Sequence, residues 1–109
     1  MMMTKIEHVN ITVPSIDAAV NFLKIVAPDF EIRKDGKPLN DIRWMHIGNK
    51  ECYFALQESH LGSTPKTPNK TYINYGFNHI GLVVSNIDGI EKQLIEAGYK
   101  KGIDTPTET

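Results

Sequence analysis

The chain has 109 residues, and its 12 basic and 13 acidic side chains give a net charge of −1 at pH 7. This near balance excludes a broad surface for nucleic acid or anionic membranes, and the length suits one domain. The single cysteine excludes an internal disulfide, and no apolar run resembles a signal peptide or reaches the roughly 20 residues of a membrane span. We therefore predict a cytoplasmic protein without a nucleic-acid or membrane partner.

The N-terminal segment predicts a strand followed by a helix. Apolar and polar side chains alternate over residues 6–13, which is typical of a strand with one packed and one open face. Ser15 suits a helix N-cap, apolar residues follow at helical spacing over 16–26, and Pro28 ends the helix. The open face of the strand then carries His8, Asn10 and Thr12.

Three further strands are predicted over residues 30–33, 42–47 and 52–57. The dipeptide Asp35-Gly36 and the tripeptide Gly48-Asn49-Lys50 are typical of the turns between them. Neighbouring side chains of a strand point to opposite faces of the sheet. This alternation places four more side chains on the open face, namely Trp44, His46, Tyr53 and Gln57.

A second strand and helix repeat the first pair. The sequence His8-Val9-Asn10-Ile11-Thr12-Val13 aligns without gaps on His79-Ile80-Gly81-Leu82-Val83-Val84, 71 positions later. A helix is predicted from about 87 to 97, with Gly98 as its end. A repeat that restarts on a histidine indicates a duplicated unit that offers one imidazole per copy. In the second copy, alternation directs His79 to the open face and Ile80, Leu82 and Val84 towards the helix.

The two copies differ in length, so we expect one domain with unequal parts. Module one is predicted over 4–58, and a linker rich in Gly, Pro, Ser, Thr and Asn over 59–76. The remaining residues, 77–109, hold a strand and a helix but too few residues for three further strands. The second module is therefore expected to be incomplete.

The repeated strands, together with Met45-His46-Ile47-Gly48 and Tyr53-Phe54-Ala55-Leu56, resemble the vicinal oxygen chelate superfamily. This superfamily includes glyoxalase I, bleomycin-resistance proteins and extradiol dioxygenases. The resemblance implies an α+β fold in which paired βαβββ modules form a curved mixed sheet with helices on its outer face. It also implies a divalent metal, held by a His on the first strand, a Glu on the fourth, a His on the fifth and a Glu on the eighth.

His8 and His79 match the first and third of those ligands. Two neighbouring residues are candidates for the second ligand. Glu58 has a carboxylate, but strand alternation directs it to the helix side of the sheet. Gln57 is directed to the open face but offers only an amide. The implied metal set is His8, His79 and Glu58, with Zn, Ni, Mn or Fe as the ion. The expected ligand-binding set is Asn10, Thr12, Trp44, His46, Tyr53 and Gln57.

Three functional interpretations follow from the resemblance. The first is a metal-dependent lyase, isomerase or dioxygenase that acts on a small molecule with vicinal oxygens. The second is a metal-free small-molecule binding protein of the bleomycin-resistance type, and the third is a truncated remnant without activity. An incomplete module leaves a sheet edge unpaired, and such edges recruit a partner strand. We therefore predict a homodimer whose cleft is lined by both chains.

Overall fold

The computed structural model of the protein describes residues 2–36, 42–59 and 70–102, so much of the predicted linker and the end of the second module lie outside the described residues. The elements in chain order are β1 (His8–Val13), α1 (Ile16–Val26), β2 (Glu31–Gly36), β3 (Trp44–Gly48), β4 (Tyr53–Glu58) and α2 (Ile87–Glu96). The strands form one sheet in the order β1-β4-β3-β2, with β1 parallel to β4 and the other pairs antiparallel. The predicted α+β fold is confirmed: the described residues form a mixed four-stranded sheet with two helices, consistent with a single βαβββ module.

Helix α1 begins at the predicted residue because two side chains satisfy its first N–H groups. The Ser15 hydroxyl accepts a hydrogen bond from the Ala18 N–H at 3.2 Å. The Glu58 carboxylate, reaching across from β4, accepts one from the Ile16 N–H at 2.9 Å. The first N–H groups of a helix have no partner within the helix, so these two bonds stabilise its start.

The core lies between α1 and one face of the sheet. It is made of buried apolar side chains from α1, the α1–β2 connection, β3 and β4, and β1 contributes half-buried side chains at its margin. Burying an aliphatic side chain contributes about 1.5–3 kcal/mol, so this layer determines which face of the sheet stays open. The buried set is Ile16, Leu23, Ala27, Phe30, Met45, Ile47, Phe54 and Leu56.

Strand β2 continues through a dipeptide that the sequence predicts as a turn. Asp35 pairs with Met45, and Gly36 pairs with Trp44, so that prediction is wrong. The lack of a side chain at Gly36 leaves room for the indole, because a Cβ there would lie 2.8 Å from Trp44 Cζ2. Pairing with β3 therefore outweighs the local preference of Asp-Gly for a turn.

The second module keeps its helix but not its strand. The Asn86 side chain caps α2 by accepting a hydrogen bond from the Gly89 N–H at 3.1 Å. The helix ends at Glu96, just before the predicted stop at Gly98, whose φ is +95°. Residues 78–84, predicted as a strand, form no ladder with the described part of the sheet, so this prediction is wrong. A strand is stabilised by hydrogen bonds to its neighbours, and among the described strands β1 pairs with β4 alone.

Helix α2 packs against α1. Ile90 is buried, and the rings of Phe22 and Tyr99 meet edge to face with centroids 5.2 Å apart. Ile80 and Leu82, predicted to pack under this helix, are 42% and 41% exposed, so that prediction is also wrong. Neither of the two described helices has the length and apolar composition needed to cross a bilayer.

Candidate functional site

A row of four rings crosses the open face of the sheet. The His8 ring stacks on Tyr53 with centroids 4.8 Å apart, and Tyr53 stacks on His46 at 4.9 Å. His46 in turn contacts the Trp44 ring at 5.2 Å. His8 and Tyr53 are direct partners in the β1–β4 ladder, and strand alternation turns all four rings away from the core. The structure thus brings together four side chains that the sequence places on the open face.

Polar side chains lie beside this ring row. Thr12 and Trp44 both pair with Gln57, one from each side of β4. Asn10 follows the same alternation as Thr12, and both are exposed on β1. The three polar residues predicted to bind a ligand therefore share the face with the rings.

A β-bulge adds two cations to this face that sequence analysis missed. The β2–β3 register shifts between Ile32 and Lys34, which leaves Arg33 as the extra residue. As a result Lys34 pairs with His46, while the Arg33 guanidinium lies 4.3 Å from the centre of the Tyr53 ring. Strict alternation would place these neighbouring cations on opposite faces, and no residue pattern in the sequence marks the bulge.

The charges on this face act on His46. Burial lowers the pKa of His46 below its ordinary value of 6.5, and the positive charges of Lys34, Arg33 and His8 lower it further. The lowered pKa of His46 favours its neutral imidazole at pH 7, which offers one hydrogen-bond donor and one acceptor. At the exposed end of the ring row, His8 Nδ1 lies 3.0 Å from a carboxylate oxygen of Glu7.

Glu58, predicted as a metal ligand, is directed towards α1. Its carboxylate accepts a hydrogen bond from the Ile16 N–H at 2.9 Å, at the positive end of the helix dipole. The described residues contain no group of three or more His, Cys, Asp or Glu side chains placed to hold a metal ion. Within this part of the chain, His8, His79 and Glu58 are therefore not assembled into one centre.

His79 contacts a tyrosine seven residues earlier in the chain. The Tyr72 hydroxyl lies 3.2 Å from His79 Nδ1, and the Tyr72 N–H donates to Asn78 Oδ1 at 2.8 Å. Tyr72 adopts a left-handed φ of +67°, a conformation that reverses the chain direction locally. This histidine thus lies in an irregular stretch of the chain and not in the predicted strand.

A βαβββ module with one face covered by a helix and the other open is the structural unit of the vicinal oxygen chelate fold, and this chain has that fold. Among solved structures, a similar one is FosX, a genomically encoded fosfomycin resistance protein from Listeria monocytogenes that belongs to this superfamily. The TM-score is 0.70 and the sequence identity 14%, over 98% of this chain and 79% of FosX. At this identity the likeness shows a shared fold.

The FosX structure is that of a point mutant complexed with Mn(II) and 1S,2S-dihydroxypropylphosphonic acid. No protein-family model and no curated protein sequence matches this chain.

Proposed function

We propose that this chain is a small-molecule-binding protein of the vicinal oxygen chelate superfamily, with its ligand on the ring row of His8, Tyr53, His46 and Trp44. The single observation that carries the proposal is the row itself: four rings in contact across three strands, on the face that α1 leaves open. Aromatic walls with a few convergent polar groups are typical of small-molecule sites. The exposed polar side chains of β1 supply the polar groups.

A planar ligand on the ring row would gain van der Waals and aromatic contacts that water does not offer. Tyr53 stands at its centre, with an imidazole on either side. An aromatic pair contributes about 0.5–1.5 kcal/mol beyond the burial of its area. Removal of the Tyr53 ring takes away the central surface and lets both imidazoles move, so we expect about a tenfold loss of affinity, the equivalent of about 1.4 kcal/mol.

Fluorescence of Trp44, the only tryptophan, provides the test. We would titrate the protein with catechol, benzoate and benzyl alcohol and fit the quenching of the indole emission. Tyr53→Leu should weaken the binding, whereas Tyr75→Leu, at a fully exposed tyrosine, should leave it unchanged. Emission that responds to none of the three compounds, or quenching that is the same in both variants, would contradict the proposal.

A metal-dependent lyase, isomerase or dioxygenase is the second candidate, and what favours it is the Mn(II) in the FosX structure. The described side chains do not fit such a centre by themselves, because the carboxylate of Glu58 is bound to α1. A centre with Zn, Ni, Mn or Fe would use His8 and His79, with Gln57 or Glu58 and donors from another chain. We derive no catalytic step through it.

Metal content tests this second candidate directly. The protein would be purified without added metal and analysed by mass spectrometry for bound ions, alongside His8→Ala and His79→Ala. A stoichiometric ion that both substitutions remove would support the enzyme. A metal-free parent protein would contradict it and leave the proposal for the ring row standing.

We also propose that the protein forms a homodimer. Strand β1 is an edge strand, and among the described strands it pairs with β4 alone. The neighbouring second module exposes apolar side chains, and Val83 is fully exposed. A second copy of the chain would form hydrogen bonds to the free edge of β1 and cover these apolar side chains.

The dimer is tested by light scattering coupled to size-exclusion chromatography. At micromolar concentration we expect twice the chain mass of 12.3 kDa. Val83→Glu should shift the mass towards one chain, and Glu51→Lys, in the exposed β3–β4 turn, should not. A parent protein that elutes with the mass of one chain would contradict the dimer.

A further inference from the structure

Two cations on the open face have no anionic partner among the described residues. Within the part of the chain that the structure describes, neither Arg33 nor Lys34 forms an ion pair with a carboxylate. By contrast Arg43 is paired with Asp17 at 2.8 Å. The chain as a whole carries a net charge of −1, so an overall excess of positive charge does not explain these two unpaired cations.

The bulge in β2 is what places both cations on one face. Arg33 and Lys34 are adjacent in sequence, and in a regular strand their side chains would point in opposite directions. The extra residue lets Arg33 reach the Tyr53 ring while Lys34 stays opposite His46. Bulges are frequent next to functional sites, because they re-aim a side chain.

The position of Arg33 suits the recognition of an oxyanion. Its guanidinium lies 4.3 Å from the Tyr53 ring centre, within the range of a cation–π interaction. A guanidinium held in this way keeps N–H donors available, and those donors match a carboxylate or a phosphate bidentately. Lys34 supplies a second charge from the adjacent position.

Within residues 2–36, 42–59 and 70–102, the carboxylates on this side of the sheet lie at its margins. Glu31 pairs with Gly48 at the start of β2, and Glu7 is engaged by His8 at 3.0 Å. The lowered pKa of His46, to which both cations contribute, is consistent with a positive potential at the centre of the face. An anion at the centre of this face would therefore contact the two cations and not a carboxylate.

We propose that the open face binds a small molecule that carries an oxyanion, either a carboxylate or a phosphate. Arg33 and Lys34 hold the oxyanion, and the carbon body of the molecule lies on the ring row. This inference rests on the proposed function, because the carbon body occupies the site assigned there.

The probes are benzoate, phenyl phosphate and benzyl alcohol, which share one ring and differ in charge. Binding is followed by the shift of the single indole N–H signal of Trp44 in NMR spectra, at low and at high NaCl. We expect both anions to bind about tenfold more tightly than benzyl alcohol. Salt should weaken the binding of the anions alone, because it screens exposed charges. A preference between benzoate and phenyl phosphate identifies the oxyanion.

Two variants locate the anion site. Arg33→Gln and Lys34→Gln should each lower the affinity for the anions about tenfold and leave that for benzyl alcohol within about twofold. Lys24→Gln, on the solvent side of α1, should change neither. Two separate substitutions keep the test decisive if one of them impairs folding, which circular dichroism would reveal.

The outcomes separate this inference from the proposed function. Tighter binding of the anions, lost in Arg33→Gln or Lys34→Gln but kept in Lys24→Gln, supports it. Equal binding of all three compounds in the parent protein overturns the oxyanion site and leaves the ring row as a neutral binding surface. A Trp44 signal that none of the compounds shifts overturns both.

Discussion

Replacement of Glu58 by alanine separates a structural carboxylate from a metal ligand. In the structure this half-buried carboxylate accepts the Ile16 N–H at 2.9 Å, and Ile16 itself is fully buried. A hydrogen bond to a charged group contributes about 1.5–3 kcal/mol, and a negative charge at a helix N-terminus about 0.3–1 kcal/mol. Because the Ser15 cap remains in place, we expect a loss near the lower bound, about 2 kcal/mol. Glu58→Gln keeps an acceptor oxygen and should lose about half of that.

Urea denaturation followed by circular dichroism measures this loss. With an m-value on the order of 1–2 kcal/mol per molar urea, Glu58→Ala should lower the midpoint by about 1–2 M. Glu51→Ala, in the exposed turn between β3 and β4, serves as the control and should leave the midpoint unchanged. A Glu58→Ala midpoint equal to that of the parent protein would refute the structural role. Bound metal in the parent that disappears in Glu58→Gln would assign the carboxylate to a metal centre instead.

Three further predictions concern single positions. Because the pKa of His46 in the folded protein lies below its ordinary value of 6.5, the unfolded chain takes up this proton first, and stability should decline as the pH falls through that value. His46→Gln should flatten this decline in urea midpoints measured from pH 7.5 to 5. Gly36→Ala should displace the indole of Trp44, since the new Cβ would lie 2.8 Å from it; a shifted emission maximum checks this, and an unchanged spectrum contradicts it. Gly98→Ala should cost about 1–2 kcal/mol, because Ala disfavours a φ of +95°; an unchanged melting temperature would show that the end of α2 does not limit stability.

The sequence determined the elements whose signals are local. Side-chain alternation in β1, β3 and β4 depends on neighbouring residues alone, and so do the helical spacing of α1 and α2 and their ends. The predicted open face followed from the same alternation, which is why His8, Tyr53, His46 and Trp44 are found on one side of the sheet. The placement of Glu58 on the helix side follows from alternation too, although the resemblance to the superfamily favoured it as a metal ligand.

Only the tertiary structure decided the features that depend on contacts between distant segments. The bulge that places Arg33 and Lys34 on one face is a property of the β2–β3 register. The same pairing extends β2 through Gly36 against the local preference for a turn. The segment 78–84 repeats the sequence of β1, yet β1 has β4 beside it and this segment forms no ladder with the described strands. Alternation is encoded within one strand, whereas register and pairing require a second strand, so the two cations of the proposed oxyanion site could not be found from the sequence.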